Sequence, residues 1–236
     1  KESRQKGCLK AVRGLNAARP LSVLCPRLRD TMTGLFIAFE GGDGAGKSTQ
    51  SAALAEHLRS AGHTVIQTRE PGGSPVAEKI RQVVLDVAHI GLDDRAEALL
   101  FAASRAEHVA KTVRPALERG EVVITDRYMD SSIAYQGVGR GLGLEEVRNL
   151  NLWATGGLVP DLTIVLDVEA GHGLGRVADP NRLEEESADF HGVVCRAFLD
   201  LAALDPERYL VISASDSIDS IAAAVAAEVD RRLAQQ

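Results

Sequence analysis

Gly41-Gly42-Asp43-Gly44-Ala45-Gly46-Lys47-Ser48 is a G-x-x-x-x-G-K-[ST] run, and residues of these types at this spacing can cradle a chain of phosphates. Glycines let successive backbone N–H groups converge on an anion, and a helix opening at the end of the loop adds its partial positive charge. Lys47 is spaced to reach the terminal phosphates of a nucleotide, the Ser48 hydroxyl to hold Mg²⁺, and Thr49 completes the loop. A glycine-rich turn matching by accident is the bland alternative, and the flanks argue against it. The apolar run Leu35-Phe36-Ile37-Ala38-Phe39 precedes the loop and a helix-patterned stretch, Thr49 to Leu58, follows it. That strand–loop–helix context identifies a nucleoside triphosphate site, with Mg²⁺ as its implied companion.

The elements that must position this loop alternate along the chain. Strands are expected at Gly34–Glu40, Thr64–Thr68, Glu121–Thr125, Asp161–Val168 and Tyr209–Ser213. Between them lie helical patterns. Pro75–Asp86 has Val76, Ile80, Val83 and Val84 as its apolar side, and Asp93–Glu118 has Leu99, Leu100, Ala103, Val109 and Val113 inside, with a break near Pro115. Further helical segments are read at Ser131–Gln136, Leu144–Thr155, Leu183–Leu204 and Ile218–Leu233, with a loop at Gly137–Gly143. Five strands alternating with helices imply an α/β fold, a five-stranded parallel sheet with helices on both faces. Ligands of such sheets bind beyond the carboxyl ends of the strands, which puts Gly41–Ser48, Arg69–Gly73, Asp126–Tyr128 and Asp167 on one rim.

Composition narrows the class. The chain has 236 residues, enough for one large α/β domain, and a net charge of −6 offers no basic field for nucleic acid or an anionic membrane. Aromatic residues at 4% are too few for a base-stacking platform, and no apolar stretch is long enough to span a membrane. Cys8, Cys25 and Cys195 lack metal-ligand spacing, and an odd, sparse set suits a reducing, cytoplasmic setting. Residues 1–31 carry eight Lys and Arg residues against Glu2 and Asp30, and Met32 stands just before the first strand. A targeting peptide, an anion-binding arm and a non-structural, disordered extension are the three readings. The last is preferred, leaving residues 32–236 as the folded domain.

A phosphate loop alone serves GTPases, ATPases and kinases. No Asn-Lys-x-Asp guanine reader is present, and the chain is small for an ATP-driven motor. The glycine-rich stretch Gly171–Asn181, with Arg176 inside it and Arg182 beside it, suits a lid over transferring phosphoryl groups. Together with Phe39-Glu40-Gly41, Arg69-Glu70-Pro71-Gly72-Gly73, Leu100-Phe101-Ala102-Ala103-Ser104-Arg105, Asp126-Arg127-Tyr128, Ala134-Tyr135-Gln136-Gly137 and Asn181-Arg182-Leu183-Glu184, in this order, the chain resembles the thymidylate kinases over roughly residues 33–234. The resemblance implies a P-loop NTPase fold of the nucleoside monophosphate kinase type and transfer of the ATP γ-phosphate to dTMP, giving dTDP and ADP. It also implies a homodimer, with the Val83–Leu100 region and the long helix as the candidate face.

The same resemblance distributes roles. Phe101 stacks on thymine and Arg105 bonds its carbonyl edge, although the Leu-Leu-Phe spacing also fits plain core packing. Pro71 lies near the thymine methyl, Tyr135 crowds the sugar C2′, and Ser132 and Gln136 are candidates for the base edge. Asp43 approaches the sugar 3′-hydroxyl or, alternatively, stabilises its loop. Arg127 grips the dTMP phosphate with its planar fork, helped by Arg69 unless that side chain pairs with Glu70 or Asp126. Asp126 holds Mg²⁺ or orients Arg127 and Lys47, two equal readings. Because Gly44 stands where some relatives carry an arginine, the lid must supply the cation, which makes Arg176 and Arg182 the candidates. Asn181 replaces a frequent Asp, and a changed capping or lid contact with activity kept is the expected consequence. Trp153 is read as core or interface. Another P-loop nucleotide or nucleoside kinase and an inactive nucleotide-binding regulator are the competing functions.

Overall fold

Phe36-Ile37-Ala38-Phe39 is apolar on both of its faces, so this strand is stable only where both are covered. In the computed structural model, which describes residues 32–168 and 181–235, it is the central strand β1 (Phe36–Gly41). Residues 1–31, most of the anticipated lid and Arg176 lie outside the described residues. Strands β2 (Val65–Arg69), β3 (Val122–Asp126), β4 (Leu162–Asp167) and β5 (Tyr209–Ser213) complete a sheet of order β2-β3-β1-β4-β5. All neighbouring pairs are parallel. The edge strands β2 and β5 alternate between covered and exposed side chains, as strands with a partner on one side do.

Period-two alternation splits the core. Ile37 and Phe39 point to one face and pack with Ile124, Ile164, Leu54, Leu58 and Val225, the last three from α1 (Lys47–Ser60) and α8 (Ile218–Leu233). Phe36 and Ala38 point to the other, with Val123, Val165, Phe101, Val113 and Phe198. That face is covered by α3 (Asp94–His108), α4 (Arg114–Glu118), α6 (Leu144–Thr155) and α7 (Ala188–Leu204), with α2 (Pro75–Leu85) packed on α3. The short α5 (Met129–Ser132) follows β3 and runs into a widened helical turn, Ile133–Gly139, which takes up Gly137, Val138 and Gly139 of the expected Gly137–Gly143 loop.

Three expectations need correction. Helix α2 buries Ala77 and Val84, while Val76 and Val83 are exposed and Ile80 is half-buried. Helix α3 buries Glu97, Phe101, Arg105 and His108 and leaves Leu99 58% exposed. Polar groups face inward there because they find partners on other elements; Leu99 and Ala103 are turned out, while Ala98, Phe101 and Ala102 stay buried. Helix α7 begins at Ala188 rather than Leu183. Asn181 Oδ1 accepts the Leu183 N–H (3.0 Å), Glu184 Oε2 accepts the Asn181 N–H (2.7 Å), and Ser187 Oγ caps α7 through the Phe190 N–H (3.2 Å). Asn181 thus makes its own capping contact. The break near Pro115 is a wide turn at Val109–Val113, ending two residues before Pro115, which has no N–H to donate.

Candidate active site

The strand register brings the rim together. Phe39 and Arg69 each pair with Asp126, and Gly41 pairs with Leu166, so β1, β2, β3 and β4 end side by side. A cavity of about 500 Å³ opens there. Asp43, Gly44, Gly46, Lys47, Ser48 and Thr49 line its loop side; Arg69, Pro71, Phe101, Asp126, Arg127, Ser132, Tyr135 and Gln136 line the rest. Gly41, Gly42 and Ala45 belong to the loop but not to the wall. Gly41 has φ 130°, and a Cβ there would meet the Leu166 carbonyl oxygen at 2.4 Å, so only glycine lets the chain leave β1 this close to β4.

Lys47 is buried, and its Nζ donates to the carbonyls of Gly41 (3.1 Å) and Gly42 (2.7 Å). Burial, reinforced by the Arg127 charge, pulls its pKa down to about 8. An incoming phosphate reverses that effect by supplying the missing counter-charge. Ser48 Oγ donates to Asp126 Oδ2 at 2.6 Å. A hydroxyl and a carboxylate at the mouth of a phosphate loop are hard oxygen donors of the kind Mg²⁺ takes alongside nucleotide oxygens. No cluster of three or more His, Cys, Asp or Glu residues suited to a metal occurs among the described residues.

Arg127 is the pivot. It is the one non-glycine residue with positive φ (68°) among the described residues. Its N–H bonds the Phe39 carbonyl (2.9 Å), and Thr125 Oγ1 donates to its carbonyl (2.9 Å), which holds the turn at the end of β3. Its guanidinium pairs with Asp43, lies 5.3 Å from the Tyr135 ring centroid, and donates to Ser131 Oγ at 3.0 Å. Asp43 also accepts the Tyr135 hydroxyl at 2.6 Å. Burial pushes the Asp43 carboxyl up, but the charges of Arg127 and Lys47 and the Tyr135 bond outweigh it and hold the pKa at about 2.

Glu40, a position the sequence marked only as part of a motif, anchors this arrangement. Fully buried at the end of β1, it accepts from the N–H groups of Tyr128 (2.8 Å) and Ser131 (3.1 Å) and from Ser131 Oγ (2.6 Å). Burial, then the nearby Asp130, raise its pKa to about 7. Arg81 was also missed. It lines the cleft and donates to the Pro71 carbonyl at 2.8 Å, and the signal available was a basic residue facing inward from α2.

Two predicted residues lie elsewhere. Arg105 is buried behind the cleft. Its Nε meets Glu70 at 2.6 Å, Nη1 donates to Ser132 Oγ (3.0 Å) and to Asn151, and Nη2 donates to the Tyr128 carbonyl (2.9 Å). Arg182 is likewise buried, donating to the Val84 carbonyl (Nη2, 2.9 Å) and pairing with Glu97 (2.7 Å). Arg69 pairs with Glu78 at 3.0 Å, a partner not anticipated, and stays exposed at the mouth. Asp167 ends β4 beside the loop but does not line the cleft.

A phosphate loop leaving the central strand of this sheet, opposite an arginine-lined recess with an aromatic wall, defines a P-loop phosphotransferase of the nucleoside monophosphate kinase type. The family model described as thymidylate kinase matches residues 39–225. A thymidylate kinase of Clavibacter sepedonicus is 55% identical over 201 residues, covering 83% of this chain and 94% of that protein. One from Bifidobacterium longum (strain DJO10A) is 51% identical, covering 84% and 98%. Among solved structures, the thymidylate kinase from Ehrlichia chaffeensis aligns with a TM-score of 0.71 and 34% identity over 83% of this chain and 98% of that one. The chain belongs to the thymidylate kinase family.

Proposed function

We propose that the protein transfers the γ-phosphoryl group of ATP to the phosphate of dTMP, giving dTDP and ADP with Mg²⁺ as cofactor. The observation that carries this reading is the single cleft that places Lys47 and Ser48 on one wall and Arg127, Phe101 and Tyr135 on the other. ATP lies along the phosphate loop, with Ser48 and Asp126 holding Mg²⁺, which neutralises phosphate charge. Arg127 orients the acceptor phosphate for in-line attack; that oxygen is already anionic and needs no general base. Asp43 meets the sugar, Tyr135 closes the space at C2′, and Phe101 and Pro71 flank the base, with Ser132 and Gln136 at its edge. Arg105 acts on the base from behind the cleft by orienting Ser132. Arg69 adds charge at the mouth, and Arg176 supplies the lid cation, while Arg182 anchors the segment that follows. The enzyme works as a cytoplasmic homodimer. Val83 and Leu99 on α2 and α3, with Trp153 on α6 at 83% exposure, support an interface on that side.

The test is ADP release in a coupled assay with ATP, Mg²⁺ and, separately, dTMP, dUMP, dCMP, UMP and thymidine. Strong preference for dTMP is expected, with kcat/KM falling about 10²–10³-fold in Arg127→Ala, as when one preorganised donor to a developing charge is removed. Equal turnover of another acceptor would overturn the thymidylate reading and leave a P-loop kinase of different substrate.

A further inference from the structure

Glu97 is fully buried on α3, and three side chains converge on its carboxylate. Oε1 accepts from Gln136 Nε2 at 2.8 Å and from Arg140 Nε at 3.3 Å. Oε2 accepts from Arg140 Nη2 at 3.2 Å and pairs with Arg182 Nη1 at 2.7 Å. Burial pushes this carboxyl upward, but the bonds from Arg140, Gln136 and Arg182 outweigh it and hold its pKa below the ordinary value. An ionised carboxylate only accepts hydrogen bonds. Gln136 can therefore turn only its –NH₂ toward Glu97. Its Oε1 is the amide atom left for the cleft that Gln136 lines, and that oxygen has no protein partner among the described residues.

We propose that Glu97 is a specificity-determining positioning residue: by fixing the Gln136 amide, it makes the cleft present an acceptor to the edge of the base. A pyrimidine with an N3–H, thymine or uracil, matches that acceptor. Cytosine presents a lone pair at N3 and faces oxygen with nitrogen, neither carrying a hydrogen. A site built to bond an N–H rejects the analogue lacking it more strongly than shape alone allows, because the buried acceptor is left unpaired. Arg140 and Arg182 compensate the Glu97 charge without touching the cleft wall. They are what makes an ionised carboxylate tolerable at this depth. The inference rests on the dTMP reading above.

The experiment compares kcat/KM for dTMP and dCMP in the full-length protein and in Glu97→Gln, with thermal unfolding of both. A glutamine at 97 can donate as well as accept, so the Gln136 amide is free to flip. The dTMP-to-dCMP ratio is expected to fall about tenfold or more, corresponding to one hydrogen bond gained or lost. A proportional fall for both substrates, ratio unchanged, would make Glu97 merely structural and overturn the proposal. Should Glu97→Gln fail to fold, Gln136→Met removes the acceptor without disturbing Arg140 or Arg182. A preserved ratio there overturns the proposal equally. If the unaltered protein itself does not distinguish dTMP from dCMP, it is the underlying dTMP reading that fails.

Discussion

Arg127 shows how far a residue's type and spacing carry an argument. An arginine after a buried strand invites a phosphate-binding role, but its left-handed backbone and its pairing with Asp43 come from contacts across the fold. Asp43 yields a prediction with a defined sign. Its folded pKa of about 2 lies below the ordinary 3.8, so it contributes stability above pH 3.8 that is lost as pH falls through 2. The depression corresponds to about 2 kcal/mol. Asp43→Asn is therefore expected to be less stable than the parent protein near pH 7 by about that amount. The gap should close between pH 4 and 2, read by urea unfolding across that range. A gap independent of pH would assign the loss to packing instead. Glu40 was not legible in advance, because the groups it accepts from lie 88 and 91 positions along the chain, beyond any local pattern.

At the scale of elements, strand and helix types followed from periodicity, whereas faces did not. Helix α3 reads as apolar at Leu99 and Leu100, yet it buries Glu97, Arg105 and His108. Their partners, Glu70, Gln136 and Asn151 among them, sit on other elements. A buried polar residue is tolerable only where its partner arrives, and no window around α3 contains that information. Gly41→Ala tests the junction of β1 and the phosphate loop. The φ of 130° alone costs about 1–3 kcal/mol in a residue with a side chain, and the contact with Leu166 adds to it. Loss of nucleotide binding together with a lowered unfolding midpoint is expected. A variant that binds ATP normally would show that the loop tolerates a shifted strand. Ser187→Ala, by contrast, removes only the cap of α7 and should lower stability by about 1 kcal/mol with kcat intact.

At the scale of the whole molecule, the exposed side chains of α2, α3 and α6 are where the proposed dimer is tested. Leu99→Glu combined with Trp153→Glu places charges on that face without touching the cleft lining. Sedimentation is expected to show a dimer becoming a monomer with its far-UV circular dichroism unchanged. A dimer that persists would locate the interface elsewhere. What the amino-acid order settled unaided was local: the phosphate loop between strand and helix, the five alternating strands, and the rim at which their carboxyl ends meet. Those are consequences of backbone sterics and side-chain periodicity over a few residues. Only the tertiary structure decided that Arg105 and Arg182 are buried in ion pairs instead of facing the cleft, and that Glu40 and Glu97 hold its walls in place. Each of those outcomes depends on which distant donor satisfies a buried charge, and desolvation makes that choice only when the chain has closed around it.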